Sequence, residues 1–200
     1  SLEDRRREVR LTVLRDKGPE ERTLELDLKD GFEDTFPFRD RLVDQLQDDM
    51  LDWLKKNQMA DGSWKGSPAA NPFLAGLALL GTRDRRYRPA LRKLVDWMLK
   101  KNPTAADTKG FSYWSIAFQG IFLSEYYLAS GDKRALTWIQ EAIAWLPSTT
   151  HESKWGMQAF GHSPKGLPYG NKALMAPSAH LLVFEALAER CGVQSGVWAH

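Results

Sequence analysis

The sequence predicts a mainly α-helical protein in which αα-hairpin repeats follow a short N-terminal β-hairpin. Three observations lead to this fold class. Two runs within the first 30 residues alternate apolar and polar positions, as strands do. The remainder contains six segments with helical spacing, most of them bounded by capping or stop residues. These segments alternate in character, and tryptophans recur among them at a near-constant interval.

The length and composition are sufficient for one sizeable core, or for one core with a small appendage. The chain has 200 residues, of which 42% are hydrophobic, and a net charge of +2 with mixed signs along its length. No nucleic-acid partner is predicted, because no basic patch is present. We also expect no membrane span and no signal peptide at the start. The one cysteine, Cys191, excludes an intrachain disulfide and leaves compartment and oligomeric state open.

The β-hairpin is predicted from two alternating runs, Val9–Asp16 and Arg22–Leu28. The residues between them, Lys17–Glu21, contain Gly and Pro and are typical of a turn. An isolated hairpin is marginally stable in water, so this one needs partners.

Apolar spacing and the residues that start or stop helices predict six helices. They cover Phe38–Met59, Pro72–Gly81, Pro89–Asn102, Ser112–Gly131, Asp132–Pro147 and Pro177–Gly192. The first, third and fifth are amphipathic, whereas the others are apolar almost all round. An amphipathic helix covers a core and a uniformly apolar one lies inside it, so we expect three αα-hairpins of outer and inner helices. Trp53, Trp97 and Trp145, spaced 44 and 48 residues apart, mark the repeat.

The segment after the first outer helix resembles a known motif. Gln58, Gly62 and Trp64 in "QMADGSW" look like the QxxxGxW tail of the QW repeat of squalene cyclases and related α/α-toroid proteins. The second and third repeats depart from it. The resemblance implies that residues 35–200 form an arc, half of an α/α toroid, with further hairpins completing the ring. It also implies that the three motif residues are structural.

The strand pair within residues 1–34 resembles the last two strands of a PDZ domain. The carboxylate-binding loop of a PDZ domain would precede these strands, and this sequence does not contain it. We therefore expect no binding of peptide C-termini. A PDZ-like start followed by a toroid-like continuation is similar to bacterial proteins built in that order, and this similarity implies an extracytoplasmic location.

The long connections are predicted to form the functional end. Residues 60–71, 102–112 and 147–176 all precede inner helices and therefore gather at one end of the repeats. The third connection mixes aromatic, amide and histidine residues, which suits a small polar ligand or a glycan. The predicted ligand-binding residues are Asp61, Lys109, Tyr113, Trp155, Gln158, His162, Tyr169, Asn171 and His180. The alternative is that this connection only plugs the end.

An enzyme acting on polysaccharide, a hydrolase or lyase, is the second functional hypothesis. His162 and Glu152 are its candidate acid and base. Glycoside cleavage by two carboxylates has few candidates here, since the long loops contain only Asp61, Asp107 and Glu152. The spacing of the histidines and Cys191 fits no metal-ligand motif, so we predict neither a metal nor another cofactor.

Overall fold

The computed structural model describes residues 6–15, 18–27, 40–66, 71–100, 111–152, 156–164 and 174–195. By contact clustering the chain divides into two compact units, Ser1–Asp52 and Trp53–His200. The architecture is mainly α-helical with one long β-hairpin, as the sequence predicted.

In the first unit, β1 (Arg6–Arg15) pairs antiparallel with β2 (Gly18–Asp27). Arg15 lies opposite Gly18, so pairing continues to the tip of the hairpin. The predicted turn was therefore too long, because Gly18–Glu21 belongs to β2. The predicted domain boundary near residue 34 lies outside the described residues.

Helix α1 (Arg41–Lys56) begins three residues later than predicted because Asp40 caps it. The Asp40 carboxylate accepts hydrogen bonds from the backbone N–H groups of Leu42 and Val43, at 2.9 and 3.1 Å. These bonds satisfy donors that a helix start leaves without partners.

The second unit contains the other described helices. They are α2 (Asn71–Gly81), α3 (Arg88–Met98), α4 (Ser112–Ser130), α5 (Lys133–Trp145) and α6 (Met175–Arg190). Short 3₁₀ helices at Arg85–Tyr87 and Leu146–Thr149 precede α3 and follow α5. The two-residue strands β3 (His151–Glu152) and β4 (Gln158–Ala159) form a small hairpin in the connection to α6.

Helix α4 is the centre of this unit, since it packs against α2, α5 and α6. The close approach of α4 to α6 depends on Gly120: a Cβ atom there would lie 2.4 Å from the Phe184 ring. Both Phe184 and the neighbouring Phe122 are fully buried. The outer helices α3 and α5 each bury one face, as expected of amphipathic helices.

Three sequence expectations for this unit need correction. Ser112, at the predicted start of α4, is the first helical residue and not an N-cap, and its buried hydroxyl bonds to no described residue. Helix α6 begins at Met175, two residues before Pro177, because proline is tolerated in the first turn. The inner helices are also not buried all round, since Leu74, Leu182 and Val183 are about half exposed.

Candidate functional site

The start of α4 is tied to the connection that precedes α6. The backbone N–H of Tyr113 donates to the His162 carbonyl at 3.1 Å, and the Tyr113 hydroxyl donates to the Thr149 carbonyl. Phe160 is fully buried and packs edge-on against the Tyr113 ring, with ring centroids 5.1 Å apart. Two parts of the long connection are therefore anchored at the first turn of α4.

This anchoring assembles a group of rings that we call the aromatic–histidine cluster. Its members are Phe111, Trp114, Phe118, His162 and His180. The Trp114 ring lies 5.1 Å from the His180 ring and 6.3 Å from the His162 ring, measured between centroids. Phe118 contacts His180 edge-on at 5.0 Å, and Phe111 contacts His162 at 4.9 Å.

The cluster is accessible to solvent. Phe111 is 52% exposed, and the other four side chains are half-buried. Large rings in a folded domain are usually covered, and a group of five left partly open is a surface where a ligand can pack.

Hydrogen bonds determine which ring nitrogen carries the proton in neutral His162 and in neutral His180. An indole N–H can only donate, and that of Trp114 lies 2.9 Å from His162 Nδ1, so this nitrogen is the acceptor. In neutral His162 the proton is therefore on Nε2. His180 Nδ1 lies 2.8 Å from the Ala176 carbonyl, which can only accept. Neutral His180 therefore holds its proton on Nδ1 and has a lone pair on Nε2, which no described residue binds.

The predicted site residue Tyr113 is fully buried rather than open to a cleft. Burial raises the pKa of its hydroxyl to about 12. Tyr113 stabilises the position of the cluster through its hydrogen bond to the Thr149 carbonyl and its ring contact with Phe160.

Asp61 lies in the connection between α1 and α2. Its carboxylate accepts hydrogen bonds from the backbone N–H and the hydroxyl of Ser63, at 2.9 and 2.8 Å. The backbone bond is the main reason why the pKa of Asp61 lies below its usual value. Asp61 thus stabilises its own turn.

The same turn contains the residues that look like a QW motif. Gln58 Nε2 donates to the carbonyls of Gly62 and Ala90, both at 2.9 Å. The Trp64 indole N–H donates to the Leu54 carbonyl at 2.8 Å. These contacts join the end of α1 to α3, so Gln58, Gly62 and Trp64 have a structural role.

The candidate acid–base residue Glu152 is exposed on β3, where it pairs with the exposed Gln158 of β4. Its carboxylate lies beside Gly156, and none of its described contacts involves His162. On the same hairpin, His151 Nε2 lies 3.1 Å from the Ser163 carbonyl. The structure therefore places His162 beside Trp114, and no described contact joins His162 to Glu152.

Four predicted ligand-binding residues, Lys109, Trp155, Tyr169 and Asn171, lie outside the described residues. Within the described ranges, no three His, Cys, Asp or Glu side chains group as metal ligands would. Cys191 is buried, which raises the pKa of its thiol. No helix in the described part of the chain is long and apolar enough to cross a membrane.

Sequence reasoning identified His162 and His180 but missed Phe111, Trp114 and Phe118. Trp114 and Phe118 are four residues apart on α4, so they share one face of the helix. That spacing was a usable signal. It does not by itself separate a surface face from the core, because α4 is apolar on every side. Gln119, the residue after Phe118, is buried, and its side-chain amide lies 3.4 Å from the Met98 carbonyl.

Comparison with known proteins gives one match. No curated protein and no solved structure matches the chain. A family model described as "Domain of unknown function (DUF6288)" matches residues 43–198, well over half of the sequence. The chain therefore belongs to the DUF6288 family.

Proposed function

We propose that this protein binds a polar, ring-bearing ligand, a sugar unit of a glycan, at the aromatic–histidine cluster. The observation that carries the proposal is the position of Trp114: its half-buried ring lies between two histidines and next to Phe118. Ligand sites combine aromatic faces with a few well-placed polar groups, and this cluster offers both.

The chemistry of a sugar matches these groups. The C–H face of a pyranose ring is apolar and packs on an aromatic ring such as that of Trp114 or Phe118. A sugar hydroxyl can donate a hydrogen bond, and the lone pair of His180 Nε2 can accept it. His162 is held by the indole N–H of Trp114, so its ring orientation is set before a ligand arrives.

Binding to a glycan array, followed by calorimetry of the best hit, tests the proposal. We expect Trp114→Ala to weaken binding by about tenfold or more, which corresponds to the loss of roughly 1.4 kcal/mol. Trp53→Ala is the matched control, since Trp53 is also a solvent-accessible tryptophan, 61% exposed, and lies outside the cluster. Equal loss in both variants, or no glycan binding by the natural sequence, would contradict the proposal.

Catalysis on a polysaccharide is a second candidate, favoured by His180. A neutral imidazole with an unshared lone pair is the form in which histidine acts as a general base. Incubation with polysaccharides should then release new reducing ends for a hydrolase, or unsaturated products for a lyase. His180→Ala should abolish turnover, while His151→Ala, the histidine control, should not.

The architecture that holds this site is also proposed, as an arc of an α/α toroid. Support comes from the regular order of outer and inner helices and from the position of α4 between α2 and α6. An experimental structure in which α2, α4 and α6 fail to line one concave face would contradict the arc.

A further inference from the structure

At the other end of α4 lies a cavity of about 1100 Å³. The C-terminal parts of α2, α4 and α6 and the first turns of α3 line it. Trp114 in the cluster and Leu128 in the cavity wall are separated by about 21 Å along α4, at 1.5 Å per residue. The cavity is therefore a separate site, and it is large enough for a small organic molecule.

Four arginines line this cavity: Arg83, Arg88, Arg92 and Arg190. All four are exposed, and none makes an ion pair with a described residue. Other arginines of this unit do pair: Arg86 with Asp84 at 2.6 Å, and Arg134 with Asp96 at 2.8 Å. The cavity thus collects guanidinium groups that form no ion pair with a described carboxylate.

The acidic residues of the cavity do not balance these charges. Asp84 lines it but binds the backbone N–H and the side chain of Arg86, which lies outside the lining. Those bonds hold the pKa of Asp84 below its usual value, the backbone bond most strongly. Glu125 is the other carboxylate in the lining. The cavity therefore has an excess of positive charge.

Helix stability does not explain the position of Arg88. It is the first residue of α3, where the helix dipole disfavours a cation, and the first turn contains no acidic residue. No side chain caps this helix start either. Arg190, in the last turn of α6, is by contrast where the dipole favours a cation. Arg88 and Arg92 are four residues apart on α3 and share one face of the helix, so their guanidinium groups can bind one anion together.

The rest of the cavity wall is largely apolar. It includes Leu77, Leu80, Ile121, Leu128, Val183 and Leu187. Leu128 is 41% exposed and Val183 is 50% exposed, so apolar surface remains open to water beside the arginines. Covering that surface with an apolar ligand would be favourable.

From this juxtaposition we propose that the cavity binds an amphipathic organic anion, with a carboxylate or phosphate head and an apolar body. The head lies at the α3 N-terminus between Arg88 and Arg92, because guanidinium groups bind both kinds of oxyanion with two parallel hydrogen bonds. The body lies along Ile121, Leu128 and Val183. This site is independent of the aromatic–histidine cluster.

Calorimetry with four probes tests the ligand class: octanoate, octyl phosphate, octan-1-ol and acetate. We expect octanoate or octyl phosphate to bind at least about tenfold more tightly than octan-1-ol, which lacks the charge, and than acetate, which lacks the chain. The tighter of the two anions identifies the head group. Octan-1-ol or acetate binding as tightly as both anions would overturn the proposal, as would the absence of binding by either anion.

Variants then test the location of the site. The double change Arg88→Gln and Arg92→Gln should weaken binding by about tenfold or more. Val183→Glu should weaken binding to a similar extent, because its carboxylate repels the anionic ligand. Val183 is half exposed, so this change should not disturb the core. Arg85→Gln is the matched control, because Arg85 is exposed nearby and does not line the cavity.

Circular dichroism should show all three variants folded. Undiminished binding in both the double variant and Val183→Glu would overturn the proposal, and so would an equal loss in Arg85→Gln. Trp114→Ala should leave octanoate and octyl phosphate binding unchanged, so failure of the glycan proposal and failure of this one are distinguishable.

Discussion

Two connections from an outer to an inner helix use similar residues in opposite ways. Between α1 and α2, Trp64 is only 7% exposed and its indole N–H donates to a backbone carbonyl. At the start of α4, Trp114 is half-buried and its indole N–H donates to the side chain of His162. The first tryptophan closes a joint between helices, and the second orients a histidine at an open surface.

The difference teaches how to separate an aromatic residue that closes a joint between helices from one that can pack on a ligand. In the first connection, the amide of Gln58 and the indole of Trp64 are both satisfied by backbone carbonyls. Beside Trp114, by contrast, His180 of α6 has its Nε2 left without a described partner, next to rings that are accessible. A polar group kept open next to an aromatic face has no benefit for folding, and this makes it a candidate for binding.

The largest expected effect is on the closed connection. Trp64→Ala should lower the free energy of unfolding by roughly 3–5 kcal/mol, because it empties a buried site and removes the bond to Leu54. The melting temperature should fall by about 10 °C or more. Trp53→Ala, at an exposed position, should change it little. Equal melting temperatures for Trp64→Ala and the natural protein would mean that the connection is not a structural joint.

Gly62→Ala should have the next largest effect. Gly62 has φ +100°, and a Cβ atom there would lie 2.2 Å from the Lys93 carbonyl oxygen. Strain and clash together should cost roughly 3 kcal/mol, measured by chemical denaturation. Gly131→Ala separates the backbone strain from the steric clash, since Gly131 has φ +72° but nothing within 4 Å of an added Cβ. It should cost about 1 kcal/mol, and equal costs would show that the contact with α3 is unimportant.

Tyr113→Phe probes the support under the open cluster. Losing the hydrogen bond to the Thr149 carbonyl should cost about 1 kcal/mol near neutral pH. The natural protein should also lose stability as the pH rises from 10 to 12, because the Tyr113 pKa is raised from 10.0 to about 12 in the folded state. The unfolded chain then releases its proton first, which favours unfolding.

The loss of stability at alkaline pH that comes from ionisation of Tyr113 should be absent in Tyr113→Phe. Denaturation measured at several pH values from about 9 to about 12, a range around the usual tyrosine pKa of about 10, provides the comparison. Parallel curves for the two proteins would show that the Tyr113 hydroxyl is not buried.

The smallest expected effect concerns only the position of two protons. Nitrogen NMR near neutral pH should find neutral His162 protonated on Nε2 and neutral His180 protonated on Nδ1. Trp114→Phe keeps a ring but removes the indole donor, so His162 should lose its preference while His180 keeps its own. Protonation of neutral His180 on Nε2 in the natural protein would remove the proposed lone pair on that nitrogen.

Much of the helical framework follows from the sequence because its signals are local. Apolar spacing located α3 and α5, and Asp132 caps α5 through a 3.0 Å bond from the Arg134 N–H to its carboxylate. The order of Gln58, Gly62 and Trp64 indicated a structural turn, since its contacts join neighbouring elements. The long predicted connections also indicated the N-terminal end of α4, which is where the cluster lies.

Tertiary structure decided which side chains remain open. Periodicity could not distinguish Trp114 from a core residue, because α4 is apolar all round and its exposed face depends on which helices pack beside it. The arginines of the cavity come from separate elements far apart in sequence, so only folding brings Arg88 and Arg190 to one site. Local propensity fixes where helices begin and end, whereas long-range packing determines which polar groups are left for a ligand.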